Sequence, residues 1–179
     1  MTGDSPSTAH AGGASGTTRR LVAVFAGPVA LELTHCAHRL GWSTGLLDPD
    51  AERLAAASNL DVTETATSVV DLRFGDDTDV VMTDHHRDEL GPLLRDLLLS
   101  VTTRWIGLIG SPRREGPHLA ALRDLGVPEH EVARVHRPIG LDIGSRTPAE
   151  IAVSTMAGLL ADRAGRPGGF HHGQPSAFG

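Results

Sequence analysis

Short apolar runs alternate with helical segments along most of this 179-residue chain, and that alternation limits the folds it can adopt. Strands are predicted over 21–25, 43–47, 69–72, 79–83 and 105–109. Helices are predicted over 29–40, 51–57, 88–99, 117–125 and 148–163. Strand and helix in alternation predict an α/β protein with a Rossmann-like, doubly wound, mostly parallel sheet that helices cover on both faces.

Composition divides the chain into one predicted domain and two tails. Residues 1–19 are small and polar and are predicted to be a disordered leader, and residues 165–179 are rich in Gly and Pro and are predicted to be a flexible tail. The domain, 20–164, has the length of a single folding unit. The sequence contains no Tyr, four Phe and two Trp, so its core must be aliphatic.

Charge and hydropathy narrow the classes of partner. The formal charge of −6 argues against binding to nucleic acid backbones. No stretch approaches the roughly 20 apolar residues that span a bilayer, and the N-terminus has no apolar signal region. The single cysteine, Cys36, lies between the helical positions Leu33 and Leu40 and is predicted to pack rather than react. We therefore expect a cytoplasmic protein with no nucleic acid and no membrane partner.

Polar or glycine-rich loops follow the predicted strands. They cover 26–28, 48–50, 84–88, 110–116 and 137–147. Doubly wound folds place ligands at the carboxyl ends of their strands. The sequence therefore predicts one composite binding crevice built from these five loops.

The first loop resembles part of a dinucleotide fingerprint. Gly27 and Ala30 match the second glycine and the closing small residue of GxGxxA, but Phe25 stands in place of the first glycine. Asp48 lies about 20 residues further on, where a ribose-binding acid would sit. The alternative is a plain strand–helix turn in which Asp48 caps the next segment.

The loop after the strand at 79–83 reads Asp84-His85-His86. This triplet can be interpreted as the DHH element of metal-dependent phosphoesterases, in which such side chains hold a divalent ion. Asp48-Pro49-Asp50 is the only candidate for the further acids that such an enzyme needs. The alternative, which we favour, is that Asp84 caps the next helix or that Asp84 and His85 contact a ligand without a metal.

The two later loops carry candidates for anion and ring recognition. Backbone donors at Gly110, the Ser111 hydroxyl and the Arg113 guanidinium would converge on an anion, unless this segment is simply a solvated basic helix start. Further cations are available for phosphate, namely Arg114, Arg137 and Arg146.

Asp142 lies in a loop between Gly140 and Gly144, among apolar neighbours. Its carboxylate suits the donor edge of a pterin or purine, or it ties its own loop together. The loop leads into Thr147-Pro148-Ala149-Glu150, which has the form of a capping box at the start of the last helix.

Three segments together resemble a known family. They are DVVMTDHHRDELGPLLRDLL (79–98), RWIGLIGSPRR (104–114) and HRPIGLDIGSRTPAEIAVSTMAGLLADR (136–163). They are similar to the C-terminal Rossmann-like domain of the XdhC and CoxI family. This resemblance implies a role in the maturation of molybdenum hydroxylases such as xanthine dehydrogenase. Members are thought to bind the molybdenum cofactor, protect it during sulfuration and help to insert it into the apo-enzyme.

The resemblance also points to particular residues and partners. Six residues match the family's motif positions: Gly110, Ser111, Arg113, Gly140, Asp142 and Gly144. The implied partners are an apo molybdenum hydroxylase and a cysteine desulfurase, with self-association left open. Full-length members carry an N-terminal GGCVE-type motif that this sequence lacks, so the chain is expected to be a stand-alone second domain without direct thiolate chemistry.

Function is therefore expected to be that of an accessory factor that binds the molybdenum cofactor or a related anionic pterin or nucleotide. No catalytic residue is assigned. Two alternatives remain open. One is an NAD(P)-dependent oxidoreductase with His85 as proton donor, and the other is a DHH-type phosphoesterase dependent on a metal.

Overall fold

The chain folds around one parallel sheet in the structure, a computed structural model that describes residues 19–57, 61–111 and 115–169. The sheet order is β3-β2-β1-β4-β5-β6, and every pairing is parallel. Its strands are β1 Arg20–Val24, β2 Ser43–Leu47, β3 Glu64–Ala66, β4 Thr78–Met82, β5 Trp105–Leu108 and β6 Val135–His136. This order is that of a Rossmann-like fold, which confirms the predicted class.

Helices connect the strands and cover both faces of the sheet. They are α1 Pro28–Arg39, α2 Ala51–Ala57, α3 Leu90–Ser100, α4 Pro117–Asp124, α5 Glu129–Val132 and α6 Pro148–Arg163, with a 3₁₀ turn at Val69–Asp71. Among these helices, none is long and apolar enough to cross a membrane. Gly41, with φ of +76°, ends α1 in the left-handed conformation that glycine adopts without strain.

The core lies in layers on the two sides of the sheet, because successive strand residues point to opposite faces. Val22 and Val80 pack with α3 and α4 on one face. Leu21 and Val81 pack with α1 and α6 on the other. All five residues of β1 and of β4 are buried, which explains why 21–24 and 80–82 are continuous apolar runs with little alternation.

Three details differ from the sequence prediction. The predicted strand at 69–72 is not formed, because Val69–Asp71 make the 3₁₀ turn. The third strand is Glu64–Ala66, whose polar side chains suit the sheet edge but conceal the strand in the sequence. Leu125, the last residue of the helix predicted over 117–125, lies beyond the end of α4 and is 39% exposed. The short strand β6 was not predicted at all, since two residues carry no periodic signal. Of the predicted leader and tail, residues 1–18 and 170–179 lie outside the described residues.

An ion network fixes the end of α6 to the start of β4. Asp79 is fully buried, and its carboxylate accepts hydrogen bonds from Arg104 Nε at 2.5 Å and from Arg163 Nε at 2.7 Å. Arg163 also donates to the carbonyl of Asp77 and lies 4.9 Å from the ring centroid of Trp42. Because α6 forms one wall of the site described below, this anchor bears on function as well as stability.

Removing the buried carboxylate should destabilise the protein. We expect Asp79→Ala to lower the free energy of unfolding by about 3 kcal/mol, because it leaves two guanidinium groups facing a buried gap. Asp162→Ala is the control, since it removes a half-exposed partner of Arg104 and should cost less than about 1 kcal/mol. Urea denaturation measures both, and equal losses would contradict the role given to Asp79.

Candidate functional site

A cavity of about 740 Å³ opens at the carboxyl ends of β4, β5 and β6, between the loops there and the first half of α6. Its volume lies in the range usual for small-molecule sites. The lining residues are His85, Ile109, Gly110, Ser111, residues 138–145, Ile151, Ser154 and Thr155. We call this cavity the crevice.

The crevice joins three of the five loops predicted to form it. Six of the candidate residues line it: His85, Gly110, Ser111, Gly140, Asp142 and Gly144. Asp84 precedes His85 but is not part of the lining, and Gly27 and Asp48 lie outside it, beside β1 and β2. Arg113 belongs to residues 112–114, which lie outside the described residues.

The loop over the crevice is held on α6 by Ser154. Its hydroxyl donates to the carbonyl of Leu141 at 2.6 Å, and the N–H of Leu141 donates to the carbonyl of Ser154 at 3.1 Å. Gly140, with φ of +86°, lies so close that a Cβ there would be 2.5 Å from Ser154 Oγ. Sequence analysis missed Ser154. The small residues Ser154 and Gly158, one turn apart on this helix, were the signal of a close approach.

The predicted capping box is present at the start of α6. Thr147 Oγ1 accepts from the N–H of Glu150, and Glu150 Oε2 accepts from the N–H groups of Thr147 and Arg146 at 3.0 and 2.7 Å. These backbone hydrogen bonds lower the pKa of Glu150. The carboxylate therefore occupies donors at this helix end that an anionic ligand would otherwise use.

Asp142 presents its carboxylate at the surface of the crevice. The residue is exposed, and the described residues donate no hydrogen bond to its side chain. A bond within its own loop is therefore not seen among the described residues, and contact between Asp142 and a ligand stays a prediction. Ile143, its neighbour, is 55% exposed and continues the crevice wall as an apolar rim.

His85 contributes a neutral imidazole to the opposite wall. Burial lowers its pKa, and the nearby charges of His86 and Arg137 lower it further, while Asp84 and a hydrogen bond with the backbone of Ile109 act in the other direction. Asp84 Oδ1 accepts from the N–H of His86 at 2.9 Å, so it closes its own turn. Over the described ranges, no group of three His, Cys, Asp or Glu side chains is arranged to hold a metal ion.

Asp48 is a structural residue of the neighbouring corner. It is fully buried, and its carboxylate accepts from the N–H of Ala26 at 2.8 Å and of Asp50 at 2.9 Å. The Arg87 guanidinium adds two further contacts, at 3.2 and 3.3 Å. Both oxygens are thus used inside the protein, which matches the capping alternative rather than ribose binding.

Arg87 is the residue of this corner that sequence analysis missed. Besides Asp48 it binds Glu89 at 2.9 Å, and that hydrogen bond lowers the pKa of Glu89 to about 2. Its guanidinium lies 4.9 Å from the ring centroid of Phe25. The sequence shows an arginine two residues before Glu89. It does not show that this side chain reaches Asp48, just after the end of β2.

Phe25 adopts the conformation of the glycine it replaces. Its φ is +74°, a left-handed value that costs a non-glycine residue about 1–2 kcal/mol. The side chain is only 2% exposed, within the core on the α3 face, and that burial offsets the strain. The turn after β1 is therefore formed without glycine, and Gly27 starts α1 with an extended backbone.

The arrangement is that of a Rossmann-type domain with a crevice on the β4–β6 side of the sheet. The model of the XdhC Rossmann domain matches residues 21–159, and the chain belongs to that family. This confirms the resemblance inferred from the three sequence segments.

Relatives extend the comparison. The chain is 31% identical over 160 residues to the uncharacterized protein YqeB of Escherichia coli K12, covering 86% of this chain and 29% of that protein. It is 30% identical over 155 residues to a probable xanthine dehydrogenase subunit from Bacillus subtilis, covering 80% of this chain and 43% of that one. The chain thus spans less than half the length of these curated relatives.

A solved structure shows the same fold. A crystal structure of a xanthine dehydrogenase from Bacillus halodurans superimposes with a TM-score of 0.66 at 24% identity, over 88% of this chain and 45% of that one. At this level of identity the likeness shows the shared fold alone.

Two glycines of the crevice loop should respond differently to alanine. Gly140→Ala should lower the free energy of unfolding by about 3 kcal/mol, because a left-handed alanine is strained and its Cβ also meets Ser154. Gly144→Ala is the matched control. It has φ of +70° but open space around a Cβ, so it should cost only about 1 kcal/mol. Thermal or urea unfolding compares the two variants. A larger loss of stability in Gly144→Ala would contradict the close contact between Gly140 and Ser154 on α6.

Proposed function

We propose that this chain is an accessory protein for maturation of a molybdenum hydroxylase of the xanthine dehydrogenase type, and that it binds the molybdenum cofactor or a related anionic pterin or nucleotide in the crevice. The observation that carries the proposal is the crevice itself. It is a glycine-rich cavity at the carboxyl ends of parallel strands, in a chain of the XdhC family.

The groups lining the crevice fit a ligand with a polar ring and an anionic tail. The exposed Asp142 carboxylate can accept hydrogen bonds from the donor edge of a pterin, and the neutral His85 can donate or accept one. Ser111 also lines the crevice, and the open backbone at Gly144 offers a donor for phosphate oxygens. When bound, the cofactor would supply the molybdenum centre on which the hydroxylase's redox chemistry depends, while this chain would hold and shield it.

Arg137 supplies positive charge close to the crevice. Its guanidinium packs against Gly110, where a Cβ would lie 2.6 Å from both Nε and Nη2. The charge reaches into the crevice, because it lowers the pKa of His85. An anion near Gly110 would therefore be attracted, although the protein as a whole is acidic.

The proposed partners are inferred from the low reactivity of the Cys36 thiol. Cys36 lies half-buried in α1, and burial, followed by the charge of Glu32, raises the pKa of its thiol. A thiol of this kind is a poor nucleophile. Sulfur would therefore reach the cofactor from another protein, for which a cysteine desulfurase is the proposed source, and the apo-hydroxylase would be the recipient.

The two alternative functions have less support from the corner around β1 and β2. An NAD(P)-dependent oxidoreductase would use Asp48 for ribose, but its oxygens are already bonded to Ala26, Asp50 and Arg87. A DHH-type phosphoesterase would draw on Asp48 and Asp50 for metal, whereas Asp50 Oδ1 accepts from the first N–H groups of α2 at 3.0 and 3.1 Å.

Side-by-side binding measurements would test the proposal. The purified protein should bind isolated molybdenum cofactor and should bind NAD(P) and Mn²⁺ far more weakly. Asp142→Asn should weaken cofactor binding about tenfold, because one hydrogen bond to a charged acceptor is lost. Asp124→Asn, an exposed substitution at the far end of α4, is the control and should change nothing. Tight NAD(P) binding without cofactor binding would overturn the proposal.

Affinity for the anionic ligand should rise as the pH falls through the pKa of His85. That pKa is lowered in the folded protein, so the ring gains its proton, and its positive charge, only on the acid side of the usual histidine range. His85→Gln should remove this part of the pH dependence and leave neutral-pH affinity nearly unchanged. Cofactor binding measured across that pH range, with His38→Gln as an exposed histidine control, checks it. An identical pH profile in His85→Gln would exclude His85 from the site.

A further inference from the structure

Helices α1 and α6 pack side by side over one face of the sheet and share a core cluster. Each helix also has an apolar stripe that is only partly covered by the rest of the protein, because its members recur at helical spacing on the outer side. The members of the two stripes are Val29, Cys36 and Leu40 along α1, and Val153, Ala157 and Leu160 along α6. We call this surface the α1–α6 face.

The α1–α6 face is apolar along its whole length. Residues 151–161 of α6 contain no charged side chain, although Val153 is 55% exposed and Leu160 is only partly buried. At the opposite end of the face, Leu40 is 49% exposed. A helix at a protein surface normally carries polar residues on its outer side. An exposed apolar surface between two helices is therefore a candidate contact with another protein.

Two charged residues interrupt the stripe of α1, and their positions indicate what covers it. Glu32 and Arg39 are seven residues apart, so they lie on the same side of the helix, with Cys36 between them. Neither side chain forms a hydrogen bond or an ion pair with any residue that the structure describes. If two copies of α1 cross antiparallel near Cys36, Glu32 of each copy faces Arg39 of the other.

This pattern fits a second copy of the chain better than an unlike partner. In a two-fold contact the same patch meets itself, so the patch must be complementary to itself. An apolar surface that carries one acid and one base, placed about equally far from a midpoint, satisfies this condition. The two opposite charges also cancel on this face, although the formal charge of the whole chain is −6, so repulsion between the copies is weak here.

We propose that the α1–α6 face is the interface of a homodimer, in which α1 of each copy lies antiparallel on α1 of the other and α6 lies on α6. Burial of the apolar stripes drives the association, and the two pairs of Glu32 with Arg39 fix its register. The crevice stays open in this dimer, because Ile151 and Thr155 line it from the opposite side of α6. Each copy therefore keeps its own crevice.

Sedimentation equilibrium of the full chain over a series of concentrations tests the association. The wild type should have the mass of two chains at high concentration and dissociate on dilution. Val153→Asp should weaken dimerisation at least about tenfold, because it places a charge in an apolar contact on both copies. Val70→Asp is the matched control and should change nothing, since Val70 is 78% exposed but lies on the 3₁₀ turn beside α3, on the other face of the sheet.

Charge exchange tests the antiparallel register. Glu32→Arg and Arg39→Glu should each weaken dimerisation about tenfold, because each variant places like charges together at two contacts in its own dimer. An equimolar mixture of the two variants should regain the wild-type affinity, since both contacts of the mixed dimer then join opposite charges. A purely structural defect in either variant would not be corrected by mixing.

Three results would overturn the proposal. One is a wild-type chain that stays monomeric at every concentration, which would leave the face to an unlike partner. Another is a folded Val153→Asp that dimerises as tightly as the wild type. The last is a mixture of the charge variants that associates no better than either variant alone. The wild type and the mixture decide even if Val153→Asp fails to fold, and cofactor binding in the crevice is measured separately.

Discussion

Burial of the central strands on both faces is the constraint on which the rest of this structure depends. A parallel strand cannot turn directly into its neighbour, so each must be followed by a segment that crosses the sheet and covers it. Helices α1 and α6 cover one face, and α3 and α4 cover the other. The same connectivity brings every strand's carboxyl end to one edge. The glycines and polar side chains that cannot be accommodated in the core collect there.

The two halves of that edge of the sheet have different structures. On the β1–β2 side, Phe25, Asp48 and Arg87 form a filled and internally bonded corner. On the β4–β6 side, the loops stand apart from α6 and leave a cavity. Ser154 and Gly140 set the spacing between loop and helix. The crevice therefore lies away from the place where a Rossmann fold usually holds a dinucleotide's pyrophosphate.

The sequence predicted most of the fold, because its strongest signals are the ones that burial imposes. Continuous apolar runs marked β1, β4 and β5, and the capping box marked the start of α6. It failed where tertiary context overrides local pattern. Strand β3 is polar because it lies at an edge, and β6 is too short to show a period. For the site, three of the five loops named in the sequence did meet, but Ser154 and Arg87 were missed because their partners, Leu141 and Asp48, lie 13 and 39 residues away along the chain.

The Arg87 corner also limits how this domain could change its ligand during evolution. Opening a conventional dinucleotide pocket would require a glycine in place of Phe25, which leaves a hole in the core, and removal of the cation that neutralises a fully buried carboxylate. Each step alone is destabilising, and neither gives a usable pocket until the other has occurred. Both changes would therefore have to occur together before a conventional dinucleotide pocket could open at this corner.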